Sequence, residues 1–116
     1  MYKIWKEFKF SASHILTGLP ADHQCARLHG HNYLIEVELS SETLDETGFI
    51  VDFGELKPIK EWLDETFDHR HINDTVNYNP TAENMARHIF DKWRLRFPIS
   101  AVRVRETDTS WAQYED

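Results

Sequence analysis

The chain has 116 residues, the length of one domain, and its 41% apolar and 28% charged residues are typical of globular proteins rather than disordered chains. The net charge of −7 argues against a nucleic-acid partner, which requires a basic stripe, and no apolar run is long enough to span a membrane. A single cysteine excludes an internal disulfide, and residues 1–7 lack the apolar core of a signal peptide, so we expect a cytoplasmic protein.

The first predicted element is a strand over residues 2–13. Its side chains alternate in character, so that one face carries Phe8, Phe10, Ala12 and His14. His14 therefore leaves the end of the strand on the apolar side. Residues 15–28 contain glycine, proline and several polar residues, and they are predicted to form a loop that carries the only cysteine, Cys25.

A second strand is predicted to begin with His29-Gly-His31. Side chains two residues apart in a strand share a face, so both imidazoles point in one direction. If this strand pairs with the first, His14 joins them and three imidazoles converge. Three protein ligands leave a fourth zinc position open, as in catalytic rather than structural zinc sites. The rest of the strand alternates, with Leu34, Glu36 and Glu38 on one face and Ile35, Val37 and Leu39 on the other.

The middle of the chain predicts a turn followed by a helix. Residues 40–49 are polar and are interpreted as the tip of a hairpin. Asp52 followed by Glu55 matches a capping box, and apolar residues then recur at helical spacing as far as Phe67. Because a proline inside a helix is costly, Pro58 favours a helix that begins near Glu55.

The last third of the chain predicts one helix and two strands. Residues 68–74 form a polar loop, and Thr81 is predicted to cap a helix over residues 82–96. Residues 99–107 alternate again, and a short strand is predicted at residues 111–114. The order ββααββ predicts an α+β fold, with a four-stranded antiparallel sheet and two helices on one face. Such an open sheet has unpaired edges, which assembly of copies edge to edge would cover.

Three groups are candidates for chemistry, and each also has an ordinary structural explanation. Cys25 lies near Arg27 in a polar loop, where a cation or metal favours the reactive thiolate, although single cysteines are often buried and inert. Asp68-His69 matches a general acid/base oriented by a carboxylate, although both residues are common in exposed loops. Glu106 ends a strand on its apolar face, where it either reaches solvent or accepts two N–H donors from a heterocycle at a pocket floor.

The remaining histidines offer less. His71 lies two residues after His69 and is a weaker alternative to it. His23 and His88 have no recognisable partners in the sequence, so they are interpreted as solvated side chains.

Six segments, taken in order, carry a family resemblance that covers essentially the whole chain. They are Phe10-Ser-Ala-Ser-His14, Cys25-Ala-Arg-Leu-His-Gly-His-Asn-Tyr33, Val51-Asp-Phe-Gly-Glu-Leu-Lys57, Phe67-Asp-His69, Asn79-Pro-Thr-Ala-Glu83 and Val104-Arg-Glu-Thr107. Together they resemble the family of 6-pyruvoyl-tetrahydropterin and 6-carboxy-tetrahydropterin synthases. The resemblance implies the tunnelling fold, in which ββααββ units oligomerise into a barrel, with a hexamer as the expected homo-oligomer.

The resemblance also implies roles for individual residues. Zinc would be bound by three histidines: His14, His29 and His31. The catalytic groups would be Cys25, Asp68 and His69, and the pterin-binding groups would be Glu106 and Thr107. Zinc and Arg27 are the candidates for the positive potential that a triphosphate needs on an acidic protein. The pattern departs at Arg70-His71, where close relatives carry His-Tyr, and Arg70 is a further candidate for the triphosphate.

The Cys-x-x-x-His-Gly-His spacing is similar to that of the bacterial 6-carboxy-tetrahydropterin synthases of the queuosine pathway. These enzymes convert 7,8-dihydroneopterin triphosphate to 6-carboxy-5,6,7,8-tetrahydropterin and release acetaldehyde and triphosphate. The first alternative is a 6-pyruvoyl product, formed by triphosphate elimination without carbon–carbon cleavage. The second is a non-catalytic pterin- or metal-binding module, although a binder has no need for a paired acid and base.

Overall fold

A computed structural model describes all 116 residues. The main elements are β1 (Tyr2–His14), β2 (His29–Ser41), α1 (Lys57–Thr66), α2 (Ala82–Trp93), β3 (Ile99–Thr107) and β4 (Ser110–Tyr114). The four strands form one antiparallel sheet in the order β1-β2-β3-β4. The predicted α+β fold, with the order ββααββ, is therefore confirmed.

The alternation of side chains gives the sheet one apolar face and one polar face. The inward apolar residues of β2 are fully buried, and Phe8 and Phe10 of β1 lie beside them in one cluster with the helices. Each helix contributes an apolar stripe to this cluster: Ile59 and Leu63 from α1, and Met85, Ala86, Ile89, Phe90 and Trp93 from α2. Both helices thus cover the same face of the sheet, which we call the core face, and we call the opposite surface the outer face.

The register between β1 and β2 determines what meets at the end of the sheet. His14 lies opposite His29, and Ala12 lies opposite His31. The small residues Gly30 and Ala12 keep this end narrow, because a Cβ on Gly30 would lie 3.2 Å from the Ala12 carbonyl oxygen. All three histidines, His14, His29 and His31, therefore lie on the core face at the end of the sheet where β1 finishes and β2 begins, which we call the open end.

Two local predictions differ from the structure. Residues 40–49 are not a hairpin tip, because β2 pairs with β1 and β3 and is followed by a helix. Residues 40 and 41 end β2, and the rest of the segment is a turn in which the Asp45 carboxylate accepts from the amides of Thr47 and Phe49. The helix predicted from Glu55 begins as a 3-10 turn over Phe53–Leu56, and α1 follows, so that Pro58 occupies its first turn.

Residues 68–71 lie along part of the free edge of β1, the edge that does not pair with β2. The amide of His69 donates to the carbonyl of Ser11, and the amide of Ser13 donates to the carbonyl of Arg70. The edge before Ser11 and the edge of β4 have no such cover within the chain, and Trp5 and Trp111 are exposed there. No helix of the chain combines the length and apolar character needed to cross a membrane.

Candidate metal centre and its surroundings

Three histidine side chains meet at the open end of the core face. One ring nitrogen from each of His14, His29 and His31 lies within 4.8 Å of the others, and the ring centroids are 4.4–5.1 Å apart. His14 is fully buried, whereas His29 and His31 are partly exposed. The strand register alone brings these groups together, so three imidazoles can face one ion.

The backbone orients two of these rings for coordination. Nδ1 of His14 lies 2.8 Å from the carbonyl oxygen of Pro80, and Nδ1 of His29 lies 2.7 Å from that of Arg27. A carbonyl can only accept, so each ring carries its proton on Nδ1 and presents the lone pair of Nε2. The two Nε2 atoms lie 2.8 Å apart. Two lone pairs at that distance repel unless a cation lies between them, so the site fits a metal ion.

The third ring, that of His31, has a different partner. Its Nε2 is buried and has no well-aligned hydrogen bond, although the Glu106 carboxylate lies 3.3 Å away. Burial lowers the pKa of His14 to about 4, with smaller contributions from the neighbouring histidines, and burial also lowers the pKa of His31. Both rings are therefore neutral near pH 7, which is the form that binds a metal.

Two asparagines fix the chain that leaves His14. Asn73 accepts from the amide of Ile15 and donates to its carbonyl, and Asn79 forms the same pair of bonds with Thr17. Each carboxamide thus satisfies both the backbone N–H and the backbone C=O of one residue, as a neighbouring strand would. Sequence reasoning did not identify this role, because both asparagines lie about 60 positions from their partners and look like ordinary turn residues.

Cys25 lies in a short 3-10 turn, Gln24–Ala26, between β1 and β2. Its amide donates to Nδ1 of His23, and its carbonyl accepts from the amide of Leu16. The residue is partly exposed. Leu16 lies between the two residues that the asparagines bind, so its hydrogen bond to Cys25 attaches the turn to the segment that follows His14. His23, interpreted from sequence as solvated, is exposed, and it also caps the turn that carries the cysteine.

The predicted acid/base pair also forms. Oδ1 of Asp68 lies 3.0 Å from Nδ1 of His69 and accepts from the amide of Ser11 at 3.1 Å. The Ser11 N–H, followed by His69, lowers the pKa of Asp68, so this carboxyl is ionised and can orient the imidazole. The His69 side chain is 82% exposed. The backbone φ of His69 is +56°, a strained value for a histidine, and the hydrogen bond from its amide to the Ser11 carbonyl helps to hold this conformation.

The acid/base pair lies at the edge of β1. His69 borders a cavity of about 480 Å³ together with Ser11, Ser13 and Asn32, whose side chains leave the outer face, and His31 of the cluster also borders this cavity. Cys25 does not line this cavity. His71, the weaker alternative, is bonded through Nδ1 to the Ser13 hydroxyl at 3.0 Å. Within one chain, therefore, His31 is the one member of the histidine cluster that borders the cavity of the acid/base pair.

The remaining predicted residues are dispersed. Glu106 borders a small cavity of about 190 Å³ beside the start of α2, within reach of His31. Thr107 alternates to the outer face and borders a different cavity. The Arg27 side chain is exposed, and only its carbonyl contacts the cluster, through His29. The structure thus places Glu106 beside the histidines and leaves Thr107 and Arg27 apart from them.

The interpretation of His88 as solvated is wrong. Its Nδ1 lies 2.7 Å from the Tyr78 hydroxyl, and its ring packs edge to face against Trp62. Burial lowers the pKa of His88 and raises that of Tyr78. Helical spacing gave no sign of this contact, because Tyr78 lies in the loop before α2.

Comparison with known proteins places this geometry in a family. Residues 3–116 match the family described as 6-pyruvoyl tetrahydropterin synthase. Proteins named 6-carboxy-5,6,7,8-tetrahydropterin synthase are similar: that of Rickettsia bellii is 36% identical over 97% of this chain and 99% of its own, and that of Synechocystis is 37% identical over 98% and 93%. The structure of Caenorhabditis elegans 6-pyruvoyl tetrahydropterin synthase superposes with a TM-score of 0.87 at 26% identity, covering 99% of this chain and 95% of that one.

Proposed function

Because this chain belongs to the 6-pyruvoyl tetrahydropterin synthase family, we propose that it is a zinc-dependent carbon–carbon lyase that acts on 7,8-dihydroneopterin triphosphate. The proposed products are 6-carboxy-5,6,7,8-tetrahydropterin, acetaldehyde and triphosphate, and the proposed setting is queuosine biosynthesis. The expected enzyme class, a pterin-processing lyase, agrees with the family and with the names of the full-length relatives. The observation that carries the proposal is the pair of Nε2 atoms that face each other in the histidine cluster.

The histidine cluster is the proposed zinc site, with His14, His29 and His31 as ligands. Zinc bound there would act as a Lewis acid and lower the pKa of the substrate's side-chain hydroxyls. The protein's contribution is the fixed geometry of the ligands: the Pro80 and Arg27 carbonyls hold two rings in one tautomer, and burial keeps His14 neutral.

Proton transfer is assigned to Cys25 and to the Asp68–His69 pair. Cys25, as the thiolate, removes a proton from one side of the substrate side chain. His69, oriented through Nδ1 by the ionised Asp68, exchanges a proton at Nε2 on the other side. The exposure of His69 agrees with a group that meets a substrate rather than a structural partner.

Substrate binding is assigned to Glu106, with Thr107 and Arg27 as further candidates. A carboxylate can accept two parallel N–H donors from the pterin edge. Because Glu106 lies 3.3 Å from His31, a pterin ring bound to Glu106 would lie next to the metal ligands, and the side chain of the substrate would extend over them. The exposed guanidinium of Arg27 can contribute positive potential for the triphosphate.

Self-association is part of the proposal, with a hexamer as the expected assembly. The uncovered edges of β1 and β4 are available for pairing between copies. Because Cys25, His14 and His29 do not border the cavity of the acid/base pair, a second copy is also the simplest way to bring such groups to one substrate.

Product analysis tests the function. The purified protein is incubated with 7,8-dihydroneopterin triphosphate, and acetaldehyde, triphosphate and the pterin product are quantified. Equal amounts of acetaldehyde and 6-carboxy product are expected, and the matched Cys25→Ala variant should keep its zinc and lose turnover. Triphosphate release without acetaldehyde would support the 6-pyruvoyl alternative, to which the similarity with the Caenorhabditis elegans synthase points. Ligand binding without turnover would instead indicate a binding module.

A further inference from the structure

The charged side chains of the outer face fall into two groups. Away from the acid/base pair, four of them are neutralised in pairs: Arg103 lies 3.3 Å from Glu36, and Lys3 lies 3.3 Å from Glu38. Glu38 also accepts from Trp5 and Ser100. Glu7, opposite Glu36, is exposed and forms no ion pair, so the free charge at this end is negative and does not attract an anion.

Two cations nearer the acid/base pair have no such partner. Lys9 and Arg105 lie on either side of Leu34 in one row across β1, β2 and β3, and neither forms an ion pair or a side-chain hydrogen bond. Arg105 stacks on Trp111, with its guanidinium carbon 5.5 Å from the ring centroid, and its Nε is buried without a partner. Trp111 thus orients the Arg105 guanidinium while its hydrogen-bonding capacity remains free.

Both cations border one cavity of about 640 Å³. Its polar wall also includes Asn32 and Thr107, and two carboxylates, Asp68 and Asp108, line it as well. The Asp68 charge is already compensated by the Ser11 amide and by His69. The cavity is therefore a polar recess beside the acid/base pair, with two free cations that are placed to meet one anion.

A second cavity adjoins the first and has the same character. The two share Ser11 and Asn32, which are joined by a hydrogen bond of 2.6 Å. Arg70, which forms no ion pair, borders the second cavity, and no carboxylate lines it. The chain has a net charge of −7, yet these cations beside the acid/base pair have no partner within it. An external anion would therefore serve as their counter-ion.

We propose that Arg105 and Lys9 form an oligophosphate-binding subsite on the outer face, next to Asp68–His69. The identification of the anion as an oligophosphate rests on the proposed function, because the substrate and one product carry a triphosphate. A planar guanidinium offers paired donors that match phosphate oxygens, and Lys9 supplies a second, mobile charge. The subsite would hold the triphosphate near the pair that exchanges protons with the substrate side chain.

The strand provides a matched control for this subsite. Arg103 and Arg105 lie on the same strand and face and contact the same tryptophan, at 5.8 and 5.5 Å, but only Arg103 has partners, in Glu36 and Gln113. Arg103→Gln and Arg105→Gln each remove one positive charge from the same surface. A difference between them therefore reports a specific contact rather than net charge.

The experiment measures binding of inorganic triphosphate to the purified protein by calorimetry, with the metal content of each variant determined in parallel. Arg105→Gln is expected to weaken binding by at least about tenfold, as is typical of a lost hydrogen bond to a charged group, and Lys9→Gln by a smaller factor. Arg103→Gln should change the affinity less than about twofold, because its charge is already paired. Dihydroneopterin, which has the pterin but no phosphate, should bind all variants equally.

Equal affinities for triphosphate in Arg103→Gln and Arg105→Gln would overturn the subsite. So would a change of oligomeric state in Arg105→Gln with unaltered triphosphate binding, since the arginine would then serve an interface. The two proposals fail separately: unaltered triphosphate binding with normal acetaldehyde release removes the subsite alone. Specific triphosphate binding in a protein that releases no acetaldehyde removes the lyase assignment alone.

Discussion

The histidine cluster and the Asp68–His69 pair are placed by different physical means. The cluster lies on the core face, where strand register and two backbone carbonyls fix its rings, and His14 is fully buried. The pair lies at the edge of β1, where a strained backbone and one amide of Ser11 position an exposed imidazole. The histidine cluster is thus preorganised within the fold, whereas the Asp68–His69 pair is presented at its surface.

The strongest test of this comparison removes one ring from each region. His29→Ala should abolish stoichiometric metal in the purified protein, because two remaining histidines leave an incomplete ligand set. Turnover should be lost with the metal. Metal content by plasma emission spectroscopy checks the first result, and stoichiometric zinc in His29→Ala would contradict the assignment of the site.

His69→Ala is the matched variant from the other region. It should retain the full complement of metal, because its exposed ring is not one of the three clustered imidazoles, and lose roughly 10²–10⁴ of kcat. Loss of metal in both variants would show that the two regions are not independent of each other.

The same distinction explains what the sequence could predict. Alternation in β1 and β2 was enough to predict that His14, His29 and His31 share a face, because strand geometry has a period of two residues and few alternatives. It also predicted which face of β3 carries Glu106 beside the cluster. The hairpin at residues 40–49 was wrong because a polar turn does not reveal which element follows it.

Contacts between distant loops could not be predicted in the same way. The bonds of Asn73 and Asn79 to the segment after His14, and the bond of Tyr78 to His88, join positions with no shared periodicity. The unpaired state of Arg105 is likewise invisible in a strand where Arg103 looks equivalent. Only the tertiary fold determines which of two similar side chains finds a partner.

The pH dependence of stability should distinguish the two regions next. The pKa of His14 falls from 6.5 to about 4 on folding because the ring is buried, so the unfolded chain binds more protons between these values. Stability of the metal-free protein should therefore be full above pH 6.5 and decrease as the pH falls towards 4. The expected loss is about 2 kcal/mol between pH 7 and pH 5.

Urea unfolding of the metal-free protein at both pH values measures this loss. His14→Asn is the control, because its amide nitrogen can still donate to the Pro80 carbonyl and does not titrate. The variant should lose most of the pH dependence. An unchanged slope in His14→Asn would show that another group, and not the buried ring, is responsible.

The smallest expected effect concerns Glu106, which links the cluster to the end of β3. If Glu106 anchors the pterin, Glu106→Gln should weaken binding of a pterin analogue by about tenfold and leave the metal affinity nearly unchanged, because the amide can no longer accept two charged hydrogen bonds. If Glu106 instead serves mainly as the partner of His31 at 3.3 Å, the same variant should weaken metal binding by about 10–100-fold. Fluorescence titration with the analogue and competitive metal titration on one preparation separate the two outcomes. Because Glu106 borders a cavity that the histidines do not line, we expect the first.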